Sequence, residues 1–126
     1  MTPSPRFAQR VFSIAGVYGL LVLFPMYFLE ERIGRDTPPA ITHPEHFYGF
    51  IGTALVFQLV FLIVARDPLR YRALMPVAVL EKLAFGVPVW LLFAQGRVAP
   101  SVVAAGSIDL LLGVCFVLAY FKTAPA

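Results

Sequence analysis

The sequence predicts an all-α integral membrane protein, a four-transmembrane-helix antiparallel bundle with both the N- and C-termini cytoplasmic. Three observations point there. The 126 residues are 60% hydrophobic and 13% charged, with a mean hydropathy of +0.82, which is more apolar surface than a water-soluble domain of this length can bury. Four apolar stretches, at about 8–29, 45–65, 72–95 and 100–121, each approach the roughly 20 residues a helix needs to cross the hydrocarbon core. Basic residues divide unevenly between the two sides these spans define. Arg6, Arg10, Arg66, Arg70, Arg72 and Lys122 fall on one side and Arg32, Arg35 and Arg97 on the other, and the richer side is expected to be cytoplasmic.

The first span, Val11–Leu29, is free of charge and closes on Glu30-Glu31-Arg32. No small-residue cleavage pattern follows it, so it is expected to be a retained span and not a removed leader. Gly16 and Gly19 give it a small face for close helix contact, and Pro25 is placed to bend its outer end. Residues 30–43 are expected to form the longest loop. Thr42, Pro44 and Glu45 fit a capping box that opens the second span, with Thr42 as N-cap. Within that span His46, Gly49, Thr53 and Val56 share one face, small enough for tight packing, and Gln58 lies opposite Gly49. The turn Arg66–Arg72 is tight and basic. The third span leaves through Gly96, a helix stop. Pro100-Ser101 starts the fourth, in which Asp109 is the one charge before Lys122. The four spans read as a single domain, 1–126.

The third span sets the demand on the rest. It carries Glu81 and Lys82 near its middle, roughly 13–15 Å from the inner boundary at helical rise. Two central charges cost roughly 5–7 kcal/mol on insertion scales, and the strong apolar residues of this span return about 5. Such a helix needs partners that satisfy its charges. Asp109, roughly 18 Å from the same boundary, sits on the adjacent antiparallel span and can pair with Lys82. Glu81 is then left bonded to Gln58 or a hydroxyl, or holding a proton. Leu74, Ala78, Phe85 and Pro88 fall on the Glu81 face, and Pro88 beside Gly86 predicts a bend there. Glu81, Lys82, Asp109, Gln58, Phe85 and Pro88 are therefore the candidate ligand or proton site, because ionisable groups inside a membrane are functional candidates by default. The competing reading is a clasp that fixes helix register.

Other chemistries are weaker. His43, Glu45 and His46, with Glu30 and Glu31 nearby, are metal-ligating residue types, but capping and an interfacial turn already account for them, and no metal or other cofactor is expected. Cys115 has no histidine at its depth to activate it, and as the single cysteine it forms no internal disulfide. No basic stripe interleaved with aromatics is present, so the net charge of +3 does not indicate nucleic acid.

With the spans and their polar residues placed, the chain resembles the small bacterial four-helix membrane proteins of the DoxX-like type. The likeness is carried by HFYGFIG at 46–52, RDPLRYR at 66–72 and the lone acid Asp109 in the fourth span. It implies a fold and a bacterial inner membrane location, and it carries over no catalytic residue. The expected function is that of a non-catalytic membrane protein, lipophile-binding or an accessory subunit, in a homo-oligomer or larger membrane complex. Two alternatives stay open: a proton-linked small-molecule transporter that uses Glu81, and an isomerase-like membrane enzyme on a sterol, isoprenoid or quinone with Glu81 and Asp109 as acid and base.

Overall fold

In the computed structural model, which describes residues 5–123, five helices follow one another: α1 (Arg6–Leu23), α2 (Glu30–Asp36), α3 (Pro44–Arg66), α4 (Met75–Ala94) and α5 (Pro100–Lys122). No strand occurs among the described residues. Residues 1–4 of the N-terminal tail and residues 124–126 lie outside them. Short 3-10 turns extend α1 through Phe28 and lead into α4 from Arg72. With those turns, four helices of 23 residues each are long and apolar enough to cross a membrane: Arg6–Phe28, Pro44–Arg66, Arg72–Ala94 and Pro100–Lys122.

Three local expectations change. The loop over 30–43 contains α2, because Glu30 and Glu31 lie at its N-terminus and Arg35 in its last turn, the arrangement the helix dipole favours. Arg32 and Asp36 add an ion pair of 3.6 Å one turn apart. The capping box does not form. His43 is the N-cap of α3 and no side chain caps the helix, while the Thr42 hydroxyl lies 3.1 Å from His43 Nδ1. Pro25 tightens the end of the first span into a 3-10 turn, Phe24–Phe28. Gly96 does end α4. Its φ of 70° allows Gly96 N to donate to Phe93 O and Arg97 N to Leu92 O, both at 2.9 Å, the paired bonds of a Schellman cap.

The spans pack most closely as α1 with α3 and α4 with α5, and α1 against α5 joins the pairs. α3 and α4 scarcely touch. Partners step in opposite directions along each pair. On α1 and α3 they run from Tyr27 and Tyr48, stacked at 6.1 Å, to Phe12 and Phe61 at 6.0 Å. On α4 and α5 they run from Trp90, whose indole donates to Ser107 at 3.1 Å, to Arg72, whose Nε donates to Tyr120 O at 3.1 Å.

Glycine sets the closest approaches. A Cβ on Gly16 would stand 2.7 Å from Leu62, and one on Gly19 would collide with the Gln58 amide. Gly86 and Gly106 do the same between α4 and α5, where a Cβ would stand 2.6 Å from Leu110 and 2.8 Å from Val89. The small face expected around Gly49 is not used. Nothing lies within 4 Å of a Cβ there, and Thr53 and Val56 are exposed. The buried face of α3 is the opposite one: Ile51, Gln58, Phe61, Val64 and Ala65.

At the end of the bundle where α1 begins and α5 ends, the core is a solid block. Phe12 and Phe116 stack at 4.3 Å with their planes 9° apart, and Phe61 meets Phe116 edge-on at 5.0 Å. All three rings are fully buried, one from each of α1, α3 and α5. Met75 and Ala78 bring α4 onto the same cluster, and Arg72 lies over the Tyr120 ring at 3.6 Å.

Candidate functional site

Lys82 organises the centre of the molecule. The buried stripe of α4 is Met75, Ala78, Lys82, Gly86 and Val89, so the face turned inward is centred on Lys82, and Glu81 lies at its flank. Ala78 and Gly86, one turn to either side, leave room for the lysine stem to enter. Its ammonium meets three partners. Nζ stands 3.4 Å from Glu81 Oε2 and 3.5 Å from Asp109 Oδ1, and 5.1 Å from the centre of the Phe61 ring. Lys82 is only 4% exposed, against 16% and 18% for the two acid side chains. Of the three it is the lysine that is enclosed, and both acids look into open space.

That space is a cavity of about 150 Å³ reached by all four long helices. α1 contributes Tyr18, Gly19, Val22 and Leu23, with Met26 just beyond it; α3 contributes Phe50, Ala54 and Gln58; α4 contributes Glu81, Lys82 and Phe85; α5 contributes Ala105 and Asp109. On α1, α3 and α5 the lining residues all stand farther along their helices, away from Phe12, Phe61 and Phe116. The packed rings therefore lie between the cavity and the end of the bundle where α1 begins and α5 ends. Toward α3 and α4 it adjoins a groove of about 570 Å³, lined by Phe50, Thr53, Ala54 and Phe57 on one helix and by Val77, Leu80, Glu81, Ala84 and Phe85 on the other. Phe50, Ala54, Glu81 and Phe85 belong to both spaces. Phe50 and Phe85, with ring centres 5.7 Å apart, stand where the two meet.

Two acceptors at this site have no hydrogen-bond partner among the described residues: Gln58 Oε1 and Glu81 Oε2. Glu81 Oε2 has Lys82 Nζ at ion-pair distance without the alignment of a hydrogen bond. Gln58 is 1% exposed, and its amide nitrogen donates to Ala54 O at 2.8 Å, one turn back along its own helix. Of the alternatives open for Glu81, a bond to Gln58 is not formed. The expectation that Asp109 would leave Glu81 without a cation also changes, because Lys82 stands between both acids. An unsatisfied buried acceptor is costly, typically about 1–3 kcal/mol, and a ligand donor would offset that cost.

Of the residues that the sequence nominates for a site, Glu81, Lys82, Asp109, Gln58 and Phe85 line one cavity. Pro88 does not. It is exposed and α4 continues through it. Tyr18, Met26, Phe50 and Ala54 also belong to the lining, and the sequence does not nominate them; the one signal among them is Ala54, a small residue one turn before Gln58. His43 and His46 stack at 5.1 Å, both exposed along with Glu45, while Glu30 accepts from Tyr48 Oη at 2.9 Å. Among the described residues no group of three or more His, Cys, Asp or Glu stands close enough to hold a metal ion. Comparison with protein-family models, with curated proteins and with solved structures finds no match to this chain.

Proposed function

We propose that this chain is a small non-catalytic membrane protein, a four-span antiparallel bundle with both termini cytoplasmic, that binds a lipophilic molecule at the Glu81–Lys82–Asp109 centre. It acts as one subunit of a homo-oligomer or of a larger membrane complex. Kinship with the DoxX-like proteins and a place in a bacterial inner membrane belong to the same proposal.

One observation carries it: a largely apolar cavity into which Glu81, Lys82, Asp109 and Gln58 bring polar groups, joined sideways, between α3 and α4, to an apolar groove. That form suits a molecule with a compact polar head and a greasy tail that arrives from the lipid phase. A void of roughly 150 Å³ accommodates a ring the size of benzene, so the head fits the cavity and the tail fits the groove. The aromatic block beneath Lys82 weighs against a continuous path from one side of the membrane to the other. Glu81 Oε2, buried without a hydrogen-bond partner, is the observation that keeps proton-linked transport as the second reading.

Protein extracted in a mild detergent and examined by native mass spectrometry is expected to carry a discrete lipophilic adduct. Ala54→Trp, which fills the cavity from α3, should remove it. An adduct-free parent protein, or an adduct indifferent to Ala54→Trp, contradicts the proposal. Uptake into vesicles driven by a pH gradient would favour the transport reading instead.

A further inference from the structure

We infer that the head group taken at this site is cationic and donates hydrogen bonds, so that the ligand class is a lipophilic amine, seated between Glu81 and Gln58 with its tail between α3 and α4. This rests on the lipophile-binding reading and adds the chemistry of the head.

The charge count comes first. Among the residues that line the cavity, Glu81 and Asp109 are two acids and Lys82 is one base. Tyr18 on α1 is the remaining titratable group there, and α3 supplies none. With both acids ionised, one negative charge has no counterpart in the lining. The hydrogen-bond count agrees with it. Gln58 Oε1 and Glu81 Oε2, the two buried oxygens without a hydrogen-bond partner, are acceptors, and a ligand that offers only acceptors leaves both unsatisfied. A carboxylate head adds repulsion as well. Lys82 is poorly placed to receive an acceptor, since its ammonium is already shared by two acids and faces the Phe61 ring. A hydroxyl head provides a single donor and no charge. A protonated amine provides three donors and the missing charge, and the Phe50 and Phe85 rings where cavity and groove meet have faces that attract cations.

The test compares three probes of equal tail length, dodecylamine, dodecanol and dodecanoate, with the protein in phosphatidylcholine nanodiscs at neutral pH. Bound probe is read by native mass spectrometry and corrected for partition into empty discs. Dodecylamine should bind about tenfold or more tighter than dodecanol, a difference of about 1.4 kcal/mol, and dodecanoate should bind weakest. Glu81→Gln should reduce the preference for amine over alcohol to within about threefold. Gln58→Leu, which strands no charge and keeps the comparison open if Glu81→Gln does not fold, should weaken amine binding more than alcohol binding. Equal binding of amine and alcohol by the parent protein overturns the head-group inference and leaves lipophile binding standing. Binding of none of the three above the empty-disc level overturns both.

Discussion

Lys82→Met should be the most damaging single substitution at the charged centre. At 3.4 and 3.5 Å from the two acids, and with an effective dielectric of about 20, each attraction is worth roughly 5 kcal/mol. Against this stands the removal of three charges from water, several kcal/mol each, so the assembled triad contributes little net stability. Taking away the cation alone does not return the desolvation of the acids. Two carboxylates then share one cavity without a counter-charge, and the loss should be about 3–5 kcal/mol. Glu81→Gln and Asp109→Asn each leave Lys82 one acid and should cost about 1–2 kcal/mol. The triple variant, with all three groups neutral, should return to within about 1 kcal/mol of the parent. Unfolding by SDS titration in mixed micelles, followed by circular dichroism, gives these differences directly. A Lys82→Met cost no larger than that of Glu81→Gln would refute the reasoning, and so would strictly additive losses for Lys82→Met and Asp109→Asn.

Two further outcomes follow from the geometry. Gly19→Ala drives a Cβ into the Gln58 amide and should destabilise by about 1–3 kcal/mol, whereas Gly49→Ala, with nothing within 4 Å, should be neutral or slightly stabilising in the same titration. For topology, a cysteine at Arg70 should resist an impermeant thiol reagent in intact cells and one at Asp36 should react, as the basic-residue imbalance requires; the reverse pattern would invert the orientation.

Much of this architecture is legible in the sequence because the signals are local. The spans show as runs of apolar residues, Gly96 as a helix stop, and Lys82 with Asp109 as opposite charges at matching depth on neighbouring helices. What is not legible is the phase of each helix. In a membrane the outer face is apolar too, as exposed Leu21, Leu80 and Leu111 illustrate, so hydrophobic periodicity no longer tells inside from outside. Small residues are the remaining cue, and they divide. Gly16, Gly19, Gly86 and Gly106 mark close approaches, while Gly49 faces outward. The inward turn of Lys82 over Glu81 is foreshadowed by Ala78 and Gly86, one turn to either side of it. The cavity is harder. It depends on the gap between α3 and α4, and a gap is a property of the packing of other pairs, here α1 with α3 and α4 with α5. The helix at Glu30–Asp36 is hidden because its support is electrostatic and its length, 7 residues, is too short for periodicity to register.

The most direct test of a lipophile site at the charged centre is photolabelling in native membranes with a long-chain amine carrying a diazirine near its head, followed by mapping of the labelled peptides. Labels should concentrate on Met26, Phe50, Ala54 and Phe85, and excess dodecylamine should suppress them. Labels spread over the outward faces, at Ile14, Leu21 and Val114, and unaffected by excess dodecylamine would contradict the account.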